Sequence, residues 1–176
     1  MPKIIQAVIL LFSFFAYCQA PRVNCEELIE TKTYPGGSVM SSPKEKIRVF
    51  KDADNGLEIM LVKTTESVIV NFNAFGGIKC VRKNAIAEIT FTDDTKLSLQ
   101  NMGDLDCKGN FSYFMGGVIG KEKELGLLKL KTMKKVKIEY ADTDDKGNLK
   151  LIYEETAFTK EQGERIMKVI DCLTKL

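Results

Sequence analysis

The chain has 176 residues, with 26 Lys plus Arg against 24 Asp plus Glu, five Cys, and neither His nor Trp. The missing His excludes a Ser-His-Asp triad, a Cys-His nucleophile pair and any imidazole-ligated metal. A formal charge of +2 provides no strong field to gather a polyanion, so nucleic acid is not an expected partner.

Residues 1–18, MPKIIQAVILLFSFFAYC, place Lys3 ahead of an apolar run from Ala7 to Phe15, with polar sequence beyond. This is the n-region and h-region order of a secretory signal peptide, and the run is short for a hydrocarbon core about 30 Å thick. Small residues at −3 and −1 predict cleavage of Ala16-Tyr17-Cys18 before Gln19, with cleavage before Pro21 as the alternative. Lipid attachment at Cys18 is a competing fate, although bulky Tyr17 stands where lipoproteins carry a small residue. No transmembrane segment is expected after cleavage, and the expected location is periplasmic or extracellular. Loss of Cys18 leaves Cys25, Cys80, Cys107 and Cys172, an even set in an oxidising compartment. None forms a close CxxC pair, so a Cys₄ metal site is not expected, and no cofactor is implied.

Residues 19–45 read as an N-terminal arm. Asn24 can cap a short helical turn at Cys25–Ile29, and Tyr34-Pro35-Gly36-Gly37-Ser38 and Ser41-Ser42-Pro43 mark loop or extended chain. From residue 46 the pattern turns to period two: Ile47/Val49, Leu57/Ile59/Leu61, Val68/Val70/Phe72, Ala87/Ile89/Phe91, Leu97/Leu99, Val136/Ile138/Tyr140 and Leu149/Leu151/Tyr153. Each set predicts an inward strand face, and the short connections predict antiparallel pairing. Three segments repeat a strand, an Asp-rich turn and a second strand: IRVFKDADNGLEIML, IAEITFTDDTKLSLQ and VKIEYADTDDKGNLKLIY. Short polar side chains that bond back to the backbone suit such tips, so hairpin physics accounts for the likeness.

In the middle hairpin, Ile89 opposite Leu99 and Phe91 opposite Leu97 keeps the apolar residues on one face, leaving Asp93-Asp94-Thr95 as the loop. Extending that ladder sets Cys80 opposite Lys108, one position from Cys107. This predicts Cys80–Cys107 and, by remainder, Cys25–Cys172. The chain ends in a helix over 159–175: Thr159 and Gln162 have capping-box spacing, and Ile166, Val169, Ile170, Leu173 and Leu176 share one face. Gly163 weakens its first turn but permits a close backbone approach.

The predicted fold is α+β, residues 46–176 forming one antiparallel curved sheet or small β-barrel of eight or nine strands with a C-terminal amphipathic helix. Strands followed by one closing helix resemble the pleckstrin-homology-type barrel in architecture, without a shared motif. A lipocalin-like barrel fits less well, since its Gly-x-Trp signature is impossible here. The chain also resembles small exported bacterial proteins of unknown function.

For chemistry, Asp142–Asn148 resembles the opening of a calcium loop, but Lys146 occupies position five and Tyr153 position twelve, so a simple turn is expected. Gly116–Lys121 does not match a phosphate-binding GxxxxGK[ST] loop, yet it can border a ligand groove. Lys129, Lys131, Lys134, Lys135 and Lys137 form a basic run, a candidate surface binding patch. No catalytic residue stands out. The expected function is an exported, non-enzymatic binding or envelope-associated domain for a protein, glycan or small ligand. A secreted structural or inhibitor-like interaction module is the alternative, and a carboxylate-dependent enzyme a third. A concave apolar pocket would mark the first, a filled core with one exposed apolar patch the second, and a convergent carboxylate pair in a cleft the third.

Overall fold

A computed structural model describes residues 23–176 apart from Gly36, Ile78, Asp144, Asp145 and Gly147. The leader, both cleavage positions and Cys18 therefore lie outside the described residues. The described chain runs α1 (Cys25–Leu28), β1 (Ile29–Thr33), β2 (Val39–Pro43), β3 (Ile47–Phe50), β4 (Gly56–Lys63), β5 (Val68–Phe75), β6 (Ile86–Phe91), β7 (Lys96–Gln100), β8 (Asn110–Met115), α2 (Glu122–Leu130), β9 (Met133–Thr143), β10 (Leu149–Ala157) and α3 (Lys160–Thr174), with a 3-10 turn at Gly117–Ile119.

The strands form two antiparallel sheets and not a closed barrel. The first follows the order β1-β2-β4-β5-β8, with β3 pairing β4; the second follows β10-β9-β6-β7. Both inner faces share one core, built from Leu57, Ile59, Leu61, Val70 and Phe72 of the first sheet and Ala87, Ile89, Phe91, Leu99, Val136 and Ile138 of the second. The alternating residues of β5 read buried, half-buried, buried throughout, as a strand with one wet face requires.

Helix α3 closes the open side of this core, touching β9 of one sheet and β4, β1 and β2 of the other. Thr159 accepts from the Gln162 amide, and the Gln162 side chain accepts from the Thr159 amide, a complete capping box. Ile166, Val169, Ile170 and Leu173 are fully buried. At 1.5–3 kcal/mol per side chain, they contribute roughly 6–12 kcal/mol as an upper bound. Leu176 does not join them: it lies past the end of the helix, largely exposed. Cys172, at the margin of this stripe, bonds Cys25 and ties α1 to α3.

Several local expectations are corrected. The stretch read as loop or extended arm forms the β1–β2 hairpin, and β2 joins β4 through Ser41 and Lys63. Asn24 caps no amide with its side chain, donating to the Glu27 carboxylate at 2.8 Å instead. In the middle hairpin Ile89 pairs with Leu97 and Ala87 with Leu99, two positions from the expected register. A two-residue shift preserves which face is apolar, so face matching could not separate the registers. The tip decides: Asp94 adopts φ 60°, the Phe91 amide donates to the Thr95 carbonyl, and Asp93 accepts from the Thr95 amide and hydroxyl. The loop is thus Thr92-Asp93-Asp94 with a left-handed closing residue, one position earlier than the expected Asp93-Asp94-Thr95. The expected Cys80–Cys107 bridge is present, but Lys108 pairs with Lys79, and in parallel, in place of the expected antiparallel Cys80–Lys108 pairing. Cys80 instead bridges to Ala141 of β9, while Val81 meets Asp106. Residues 122–130, where no element is expected and which hold Lys129 of the basic run, form α2.

The largest departure is in β10. Its register sets Tyr140 opposite Ile152, Ile138 opposite Glu154 and Val136 opposite Thr156. The core-facing residues of β9 thus face the even-numbered residues of β10. Leu149, Leu151 and Tyr153, expected inside, point outward and are 61%, 39% and 54% exposed.

Candidate functional site

The outward row of β10 continues a surface that begins on β9. Ala141 and Glu139 lie opposite Leu151 and Tyr153 and share their face. Glu139 is buried there despite its charge, because Arg82 Nη2 donates to Oε1 at 2.8 Å and the Tyr153 hydroxyl donates to Oε2 at 3.2 Å. The Lys137 ammonium sits 5.1 Å from the Tyr153 ring centroid. The charge of Glu139, and then the hydrogen bond to it, raises the Tyr153 phenol above its ordinary value.

Beyond Ala141 the face becomes a groove of about 680 Å³, walled by Arg82, Lys83, Leu105, Ala141, Leu149 and the Cys80–Cys107 bridge. Leu105 is 67% exposed. Arg82 Nε is buried without a hydrogen-bond partner among the described residues. The face therefore combines four large exposed apolar side chains with a guanidinium whose hydrogen-bonding capacity is only partly used.

The inner side of β10 carries the complementary oddity. Glu154 points toward the core margin, where Lys51 donates at 2.7 Å and Lys79 makes a second, shorter contact. Burial raises the Glu154 carboxyl, but the two lysines outweigh it and hold it below the ordinary value. Burial, then the charge of Glu154, also pushes the Tyr140 phenol upward. A one-residue slip of β10 would place Leu149, Leu151 and Tyr153 inside and turn Glu154 out. The fold instead keeps a half-buried carboxylate at the core margin, neutralised by two cations, and shows its leucines to solvent. Glu139 and Glu154 lie on opposite faces of one sheet, so they do not converge as an acid/base pair.

The basic run is dispersed. Lys131 pairs with Asp93 at 2.6 Å, Lys134 with Asp94 at 2.7 Å and Lys135 with Glu155 at 2.8 Å. The hydrogen bond from Lys131, then that from Thr95, lowers Asp93 to about 2. Lys129 lies on α2 and Lys137 against Tyr153, so the five do not form one open cationic patch. The acids of the β6–β7 tip instead fasten the junction of α2 and β9. No group of three His, Cys, Asp or Glu residues suited to a metal occurs among the described residues. Asp144, Asp145 and Gly147 of the calcium-like string lie outside them. Gly116–Gly120 is a compact turn: the Gly116 carbonyl accepts from the Ile119 amide, and a Cβ on Gly117 would sit 1.8 Å from the Glu66 carbonyl oxygen. No described helix is long and apolar enough to cross a membrane, and the two disulfides fit an oxidising, extracytoplasmic compartment.

Sequence reasoning missed the β10 face because periodicity groups residues by face without saying which face turns inward. In β10 the odd phase, Leu149, Leu151 and Tyr153, is the apolar one, whereas the inward even phase keeps only Ile152 between Lys150 and Glu154, so alternation alone points to the wrong face. The chain matches no protein-family model, no curated protein and no solved structure.

Proposed function

We propose that this chain is an exported, non-catalytic interaction module that binds an extended polypeptide segment along β10. The carrying observation is the inverted strand: Leu149, Leu151 and Tyr153 outside, Glu154 half-buried on the inner face between Lys51 and Lys79. An apolar row facing water on a strand that could bury it by a one-residue slip is a cost to solubility, and interaction surfaces are where such costs are retained. The topology specifies the occupant's form. Strand β10 pairs β9 on one side and no described strand on the other, so its free edge offers backbone hydrogen bonds to another extended strand. The outward leucines and tyrosine would then meet the partner's alternating apolar side chains, and Arg82 and Lys83 an acidic residue beside them. Large side chains of both sheets, among them Phe72, Phe91 and Phe111, are fully buried between them, which favours a surface interaction over an enclosed apolar cavity.

Export rests on the leader and on the paired cysteines, with the periplasm or extracellular space as the location. The test is site-specific photo-crosslinking in the producing cell. A benzophenone amino acid at Leu151 should yield one discrete heterologous adduct, while the same probe at Lys96, on the opposite edge strand β7, should not. The adduct should disappear on adding Leu149→Asp. No adduct at Leu151, equal labelling at Lys96, or a homodimeric adduct from a second copy would each overturn the reading.

A further inference from the structure

A second site lies where the two sheets fail to join. Strands β7 and β8 are terminal strands of different sheets, and they approach at one corner, where the Met102 amide donates to the Ser112 carbonyl. Asn101 fixes that corner: its amide nitrogen donates to the Arg82 and Gly103 carbonyls, and its oxygen accepts from the Gly103 and Ser112 amides. Beside this knot the seam opens into a cleft of about 610 Å³, within the roughly 300–1,000 Å³ usual for small-ligand sites.

Its lining is mixed, and the polar groups come from four parts of the chain: Lys83 and Asn84 before β6, Gln100 on β7, Tyr113 on β8, and Lys121 and Glu124 at the start of α2. Three observations set the cleft apart from an ordinary surface depression. Tyr113 is only 4% exposed, yet its hydroxyl has no hydrogen-bond partner among the described residues, and it lines the cleft. Burial, then the charge of Glu124, raises that phenol, so it remains a neutral donor. The two ammonium groups are only loosely matched, with the nearest carboxylates, Asp104 and Glu124, at 3.9 Å. Finally, Asn84 and Lys121 are two of the three non-glycine residues with positive φ among the described residues, at 65° and 72°.

We infer that this seam binds a saccharide carrying a carboxylate. Asn84, Gln100, Tyr113 and Glu124 supply the mixed donors and acceptors that a hydroxyl-rich ligand needs. Ile86 and Met102, also in the lining, offer apolar contact to a sugar's C–H face, and Lys83 and Lys121 match the acid. This inference is independent of the β10 edge.

The test titrates ¹⁵N-labelled protein with a digalacturonate, the neutral digalactoside of the same linkage, and inorganic phosphate. The digalacturonate should give saturable shifts confined to residues 83–86, 98–102, 113 and 121–124, binding about tenfold or more tighter than the neutral sugar. Lys83→Gln and Lys121→Asn should each erode that preference; Asn tolerates the left-handed backbone at 121. Tyr113→Phe should weaken both sugars about two- to tenfold alike while leaving the fold's spectrum intact. Absence of saturable shifts, equal affinity for both sugars, phosphate binding as tightly as digalacturonate, or unchanged affinities in the three variants would overturn the assignment.

Discussion

Gly163→Ala separates helix propensity from tertiary packing, because the two predict opposite signs. Gly163 sits in the first turn of α3, where replacing Gly by Ala in an isolated helix stabilises by about 0.5–1 kcal/mol. In the folded chain an ideal Cβ at this position would lie 2.2 Å from the Met133 carbonyl oxygen and 2.9 Å from Thr132 Cγ2. The first obstacle is backbone at the start of β9 and cannot rotate aside, so α3 must move away from β9. That movement loosens Ile166, Val169 and Ile170, all fully buried. Overpacking of this kind typically costs 1–3 kcal/mol, and an immovable backbone atom places it at the upper end. The net expectation is a loss of about 2 kcal/mol, or roughly 4–8 °C in Tm for a domain of this size. Gly126→Ala is the internal control: it lies within α2 with nothing within 4 Å of its added Cβ, and should gain about 0.5–1 kcal/mol. Urea unfolding of both variants is the assay. Stabilisation of both would refute the close approach of α3 to β9.

Four further outcomes follow from named contacts. Asn101→Ala removes side-chain bonds to two carbonyls and two amides at a site 1% exposed. It should destabilise by about 2–4 kcal/mol in urea unfolding, since unpaired buried groups cost about 1–3 kcal/mol each. Replacing Cys25 and Cys172 by Ala should cost more than replacing Cys80 and Cys107. Loops of 147 and 27 residues correspond to about 5 and about 3.5 kcal/mol of chain entropy, a ranking that calorimetry of the two double variants can check. Glu154 is held below its unfolded value, so its contribution is present above the unfolded pKa and lost as pH falls through the folded one. The wild-type urea midpoint should therefore fall more between about pH 6 and about pH 3 than that of Glu154→Gln. N-terminal sequencing of exported protein should begin near Gln19, and a retained Met1 would defeat the cleavage expectation.

The sequence exposes those parts of the fold whose determinants are local. Helix α3 is legible because its cap and its period lie within one stretch of 17 residues. The first two Asp-rich hairpins are legible because their tips close on themselves: Asp52 accepts from the Asp54 and Asn55 amides, and Asp93 from the Thr95 amide. The β1–β2 hairpin was hidden because IETKT and VMSSP are mostly exposed and carry no apolar alternation. Helix α2 was hidden by Gly126 and by a weak apolar stripe that buries only Leu128. The orientation of β10 depends on Lys79 and Lys51, which reach Glu154 from 75 and 103 residues away. No window of sequence contains that neutralisation. The seam cleft is equally non-local, since Lys83, Tyr113 and Lys121 meet only because β7 and β8 leave their edges unpaired along most of their length.

The account rests on Leu149 and Leu151 facing outward, and the urea unfolding free energy of the Leu149→Ser/Leu151→Ser double variant tests this most directly. If both leucines are displayed at the surface, the variant should unfold within about 1 kcal/mol of the wild type with an unchanged m-value. A loss of roughly 4–6 kcal/mol, the cost of emptying two buried leucine sites, would place the row in the core and contradict the account.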